Sequence, residues 1–187
     1  MIALGSNSQT RAKILKNVGI EFIVRGCDFD ESAIQVKNPS EYVHEITKCK
    51  FETYLKNYVL DMPFVVADTI VCVNNDILLK AKNEEDAKRM LKLQSGEEVS
   101  IITCMMYKSE YLEFMDLSST RYEFKKFDEK ELDKYLKSGE WFGKAGACMV
   151  EGFCKPYILS VNGLESTAMG LSIEKLLPFL GLDDVGV

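Results

Sequence analysis

The chain has 187 residues, 47% apolar and 28% charged, which is the composition of a globular protein long enough to bury a core without disulfide or metal staples. Disorder, collagen and coiled coil are excluded as descriptions of the whole chain, and a single domain, 1–187, is expected. With 23 Lys plus Arg against 29 Asp plus Glu the net charge is −6. That argues against broad binding to a nucleic-acid backbone, but leaves room for a few cations gathered in one place.

A short strand, Ile2 to Leu4, leads into a polar turn, Gly5-Ser6-Asn7-Ser8. The pattern then predicts a helix from Gln9 to Val18, capped by Ser8 and stopped by Gly19. A strand over Glu21 to Arg25 is followed by an acidic loop holding Asp28, Asp30 and Glu31. Asn38-Pro39-Ser40-Glu41 combines an N-cap, a proline at the first helical position and an acid in the first turn, so a second helix starts there and continues past Tyr54. Phe64 to Val73 is almost continuously apolar and valine-rich, which reads as a strand covered on both faces.

Asn74-Asn75-Asp76 makes a turn before a short strand, Ile77 to Leu79. Asn83 caps a helix from Glu84 to Leu93 that ends at Ser95-Gly96. Val99 to Tyr107 and Leu117 to Phe127 read as strands. Asp128 and Glu131 start a helix to Leu136, which Ser138-Gly139 closes. Short strands at Cys148 to Val150 and Tyr157 to Val161 and a last helix, Ser172 to Leu180, complete the chain. Strands alternating with helices predict an α/β fold around a largely buried sheet.

The N-terminus is too short and uncharged for a signal peptide, and no stretch approaches the roughly 20 apolar residues of a membrane span. Six cysteines form no Cys-x-x-Cys pair and read as reduced packing residues of a cytoplasmic protein. The single histidine, His44, excludes a His-rich zinc site and falls on a polar stretch of a helix, as a surface residue would.

The informative residues are polar ones on apolar faces. Arg11 precedes Ile14, Leu15 and Val18 by three, four and seven positions, so it shares their buried face. It also stands in a first turn, where the helix dipole disfavours a cation. With Ser6 and Ser8 beside it, this is either a phosphate cradle or a capped helix with a solvated arginine. Lys50 lies on the stripe of Val43, Ile46 and Tyr54 and either snorkels outward or meets an anion. Asp68 interrupts the apolar strand, where a carboxylate must be paired, hydrogen-bonded or bound to a metal. Lys80 ends a short apolar segment, and Lys144 sits among small residues that permit close backbone approach. Gly139 to Lys144 is not a Walker A loop, because the spacing is off by one and Ala145 replaces the Ser/Thr. Cations at 11, 50, 80 and 144 with acids at 31 and 68 fit a nucleotide polyphosphate with Mg²⁺ or Mn²⁺.

These residues also carry a family likeness. Leu4-Gly5-Ser6-Asn7-Ser8-Gln9-Thr10-Arg11 resembles the L-A-S-x-S-P-R-R of the Maf family of nucleoside triphosphate pyrophosphatases. Phe29-Asp30-Glu31 is similar to its acidic loop, Lys50 to its helix lysine, Ala67-Asp68-Thr69-Ile70-Val71 to A-D-T-V-V, and Ile77 to Lys80 to I-L-x-K. Met90 to Gly96, Ser138-Gly139-Glu140, Lys144 to Ala147 and Gly170-Leu171 resemble further motifs in the same order.

The resemblance implies a central mixed sheet flanked by helices, with two lobes around a nucleotide cleft. It implies hydrolysis between the α and β phosphorus atoms, giving a monophosphate and pyrophosphate. Asp68, Lys50 and Lys80 would be the catalytic set, and Ser6, Ser8, Arg11 and Lys144 would bind substrate. Glu31 and Asp68 would hold a divalent metal, Mg²⁺ or Mn²⁺. Thr10, Thr69 and Glu151 would select the base, and their signature is mixed: Asp68-Thr69 resembles the dTTP/UTP subgroup, while Glu151 resembles the 7-methyl-GTP subgroup. Gly143 departs from the usual aspartate. The family's name motivates an alternative, a non-catalytic nucleotide-binding regulator of cell division and septum formation. A nucleic-acid module is disfavoured by the charge, and a homodimer is left open.

Overall fold

Alternation of strand and helix organises the computed structural model of this protein, which describes residues 1–27 and 34–181. The strands are β1 (Ile2–Leu4), β2 (Phe22–Val24), β3 (Phe64–Val73), β4 (Asp76–Leu78), β5 (Glu98–Lys108), β6 (Glu113–Phe124) and β7 (Ile158–Asn162). The helices are α1 (Gln9–Asn17), α2 (Pro39–Asn57), α3 (Glu84–Gln94), α4 (Glu129–Ser138), α5 (Glu165–Ala168) and α6 (Ile173–Leu176), with 3-10 turns at Lys155–Tyr157 and Leu177–Leu180. The strands form one sheet in the order β2-β1-β3-β5-β6-β7, with β4 beside β3. β1 runs parallel to both β2 and β3, whereas β3–β4 and β6–β7 are antiparallel, so the sheet is mixed as expected. No described helix is long and apolar enough to cross a membrane.

Local chemistry sets the helix starts. Ser8, Asn38, Asn83 and Asp128 each accept a hydrogen bond from a first-turn amide of the helix they cap. Asn74 and Asn75 adopt φ of 51° and 68°, the paired left-handed conformation that a tight hairpin between β3 and β4 demands. β3 is buried along its whole length except at Thr69, which explains its unbroken apolar run.

The chain divides into two compact units. The first contains Met1–Asp68, Thr103–Ser118 and the described residues of Gly170–Val187; the second contains Thr69–Ile102 and Ser119–Met169. In the first unit Ala3, Phe51, Tyr54, Phe64 and Val66 form a core in which Tyr54 stacks on Phe64 at 4.0 Å. In the second, Val71, Leu91, Tyr122, Phe124, Tyr135 and Trp141 belong to a larger core.

Three expectations are corrected. Cys148 to Val150 is not a strand: Gly143, Gly146 and Ala147 just before it all have positive φ, which an extended strand cannot absorb. β6 begins at Glu113, four residues before Leu117, because its first half alternates exposed and half-buried residues and carries no apolar run. The last helix is broken into α6 and a 3-10 turn, since Pro178 has no N–H to continue an α-helical ladder. The short α5 adds a further element that the pattern does not predict.

Candidate active site

In the first unit, β1 delivers the chain into the turn at Gly5. The Gly5 amide donates to the Val65 carbonyl at 2.8 Å, and its Cα lies so close to β3 that a Cβ would fall 2.6 Å from Val66 Cγ1. Only glycine fits, and the turn is thereby pinned to the strand that carries Asp68. The Cys27 thiol donates to the Gly5 carbonyl at 3.1 Å.

Ser6 and Ser8 divide the work of the turn. Ser8 caps α1 by accepting from the Arg11 amide at 3.4 Å. Ser6 Oγ accepts twice, from the Ser8 amide at 3.2 Å and from Arg11 Nη1 at 3.0 Å. A hydroxyl has two lone pairs and one proton, so Ser6 is left with its proton to give. Arg11 Nε donates to the Gly170 carbonyl at 2.7 Å. Arg11 is therefore a braced, half-buried residue and not a solvated one. Burial lowers the pKa of its guanidinium from the ordinary value, while the charges of Asp68 and Cys27 act in the opposite direction.

Lys50 resolves its sequence ambiguity in the same way. Val43, Ile46 and Tyr54 are buried on its face of α2, and its ammonium meets the Asp68 carboxylate in a direct hydrogen-bonded ion pair. Both side chains are almost withdrawn from water, at 13% and 10% exposure. At that depth neither charge is tolerable alone, so each accounts for the other. The first unit thus gathers a guanidinium, an ammonium, a hydroxyl and a carboxylate around the start of α1 and the middle of β3. Such a set can grip phosphate oxygens and hold a base beside them.

The second unit builds a different motif. The backbone of Lys80 forms an antiparallel bridge with Ala145, and the Gly146 amide donates to the Leu79 carbonyl at 2.9 Å. Gly146 has φ 59° and lies against Val71, where a Cβ would come within 2.8 Å of the valine Cβ. Two buried side chains hold the turn. Gln94 donates to the Gly146 carbonyl at 2.7 Å, and the Tyr135 hydroxyl donates to the Ala147 carbonyl at 2.9 Å. Lys144 reaches Glu151 at 3.3 Å, both half-buried, whereas the Lys80 side chain is exposed.

The structure therefore brings Ser6, Ser8, Arg11, Lys50 and Asp68 together, with Thr10 half-buried in the first turn of α1. It pairs Lys144 with Glu151, two residues to which the sequence gives separate roles. Thr69, the half-buried residue after Asp68, begins the second unit. Glu31 lies outside the described residues. Among those described, no group of three or more His, Cys, Asp or Glu side chains could hold a metal. Sequence reasoning missed the Gly170 carbonyl, Cys27, Gln94 and Tyr135. A buried glutamine at helical spacing from Met90 and Leu91 was the one readable signal among them.

A family model described as "Maf-like protein" matches residues 1–181. The chain belongs to the Maf family. Among its Maf relatives is the "Nucleoside triphosphate pyrophosphatase" of a Nitratiruptor species, 53% identical over 94% of this chain and 96% of the relative. A protein of the same name from Helicobacter pylori is 41% identical over 97% of this chain and 95% of its own length. Among solved structures, the Staphylococcus aureus Ham1 protein superposes with a TM-score of 0.54 over 96% of this chain and 97% of that one. At 14% identity that likeness concerns the fold alone.

Proposed function

We propose that this Maf protein hydrolyses a nucleoside triphosphate to the monophosphate and pyrophosphate, with a divalent metal at Asp68 and Glu31. The observation that carries the reading is the buried ion pair of Asp68 with Lys50, in the same unit as Arg11, braced by the accepting Ser6 hydroxyl. Relatives that bear the pyrophosphatase name over nearly the whole chain support the same reaction class.

The chain's own residues divide the task as follows. Arg11 and Ser6 grip phosphate oxygens and fix the polyphosphate. Water attacks the α-phosphorus; its proton passes to the Asp68 carboxylate, the bridging P–O bond breaks, and pyrophosphate leaves with the electron pair. Lys50, held against Asp68, offsets negative charge as it builds, and Lys80 is assigned the same task toward the leaving group. Lys144 is proposed to bind substrate with its charge tempered by Glu151. Thr10, Thr69 and Glu151 choose the base, with dTTP, UTP and modified nucleotides as the substrates to examine first.

The donor set suits a hard cation, because one aspartate oxygen together with substrate phosphate oxygens is a common setting for Mg²⁺, and Mn²⁺ accepts the same ligands. Asp68 and Glu31 would hold the ion, which when bound neutralises charge on the phosphate oxygens. The experiment is pyrophosphate release across dTTP, UTP, CTP, GTP and methylated nucleotides, with Mg²⁺ and with Mn²⁺. Release from at least one, abolished in Asp68→Asn, is the expected result. Nucleotide binding with no release from any would replace this reading with the non-catalytic one.

A further inference from the structure

The C-terminal turn at Gly170 lies 159 residues from Arg11 in sequence, yet its carbonyl accepts from Arg11 Nε at 2.7 Å. We propose that Gly170 is a positioning residue: its carbonyl, together with Ser6 Oγ, sets the plane in which Arg11 presents its guanidinium to the phosphate chain. The inference rests on the reading of Arg11 as a phosphate ligand.

Three observations support it. The backbone at Gly170 has φ 106°, a conformation that L side chains rarely adopt, so a side chain there would disturb the carbonyl that meets the guanidinium. The residues that follow cannot drift, because Leu171 and Ser172 are fully buried and the Ile173 amide closes a turn onto the Leu171 carbonyl at 2.7 Å. The two acceptors engage different nitrogens, Gly170 on Nε and Ser6 on Nη1. A planar guanidinium fixed at two nitrogens has no rotation left. Desolvation makes this bracing necessary: a half-buried arginine without directed acceptors would swing toward water and lose its aim.

The same bond predicts that lysine substitutes poorly. Its three donors sit on one nitrogen and cannot span the separate positions of Nε and Nη1 in a fixed plane.

The test is a double-mutant cycle with Gly170→Ala, Arg11→Ala and the double variant, reading kcat, KM and Tm. Gly170→Ala is expected to lower kcat/KM about 10–100-fold, in the range a small misplacement of a binding group produces. In the Arg11→Ala background the same change should lower kcat/KM no further, while its effect on Tm persists. Equal losses in the two backgrounds, or unaltered kinetics in Gly170→Ala, would overturn the proposal. Should Gly170→Ala fail to fold, Arg11→Lys decides. This variant leaves the turn intact but has no Nε to be held, so its loss should match that of Arg11→Ala, and near-wild-type kinetics would refute the role. The cycle is repeated on the Kd for inorganic pyrophosphate. If the wild-type protein released no pyrophosphate from any nucleotide, the activity reading would fail, and the binding cycle would still decide the role of Gly170.

Discussion

The two units differ in which groups their buried polar residues hold. In the first, charged side chains are the groups that are held: Lys50 is bound to Asp68, and Arg11 is braced by the neutral Ser6 hydroxyl and a carbonyl. In the second, apart from the Lys144–Glu151 pair, neutral buried side chains hold backbone: Gln94 and Tyr135 grip the carbonyls of Gly146 and Ala147, while the Lys80 side chain is left exposed. The difference teaches where damage should appear. Changes among the charges of the first unit should mainly cost activity, and changes among the supports of the second should mainly cost stability.

The largest effect should come from Asp68→Asn. Loss of the proposed base is expected to lower kcat about 10²–10⁴-fold. The amide still accepts from Lys50, so the fold is retained, but it no longer neutralises that charge, so Tm falls as well. Steady-state pyrophosphate release beside a thermal melt checks this, and wild-type kcat would remove Asp68 from the chemistry. Lys80→Ala tests whether the second unit is purely a scaffold. A loss of about 10²-fold in kcat with unchanged Tm is expected if its ammonium meets the reacting phosphates. An unchanged rate would make it a surface lysine and sharpen the contrast between the units.

Gln94→Ala should act in the other direction. It leaves the Gly146 carbonyl without its donor and opens a cavity in a fully buried position, at a cost of about 2–3 kcal/mol. Urea unfolding followed by Trp141, the only tryptophan and a buried residue of the second unit, measures it. A loss of activity without loss of stability would erase the distinction.

The smallest and broadest effect is alkaline weakening. Burial pushes the Cys104 thiol up to about 11, and it raises Tyr122 and Tyr135 as well. The folded protein then keeps protons that the unfolded chain releases from about pH 8.5 for cysteine and about 10 for tyrosine. Above those values the unfolded state binds fewer protons, so stability falls as pH rises. The urea midpoint should start to drop at about pH 8.5 and keep falling through about 11, with two of these three groups in the second unit. A flat profile would contradict their burial.

Much of this was readable from the sequence, and the reason differs by feature. β1 and β3 coincide with their predicted spans, and all four N-caps were legible, because caps and apolar runs are local. Arg11, Lys50 and Asp68 stood out as charges on apolar faces, a mismatch that periodicity detects without any structure. The first half of β6 escaped because its alternation is spread over exposed residues, and the supposed strand at Cys148 failed because positive φ leaves no hydropathy trace.

The sequence by itself determined the alternating α/β plan, the family and the residues that needed partners. A buried charge must be compensated wherever the chain goes, and local patterns carry that requirement. Only the tertiary structure decided which partner each residue took: Lys50 for Asp68, Glu151 for Lys144, and a glycine carbonyl far along the chain for Arg11. Those choices depend on distance and direction in space. A backbone carbonyl looks the same at every position in a sequence, and folding alone aims one of them at a guanidinium.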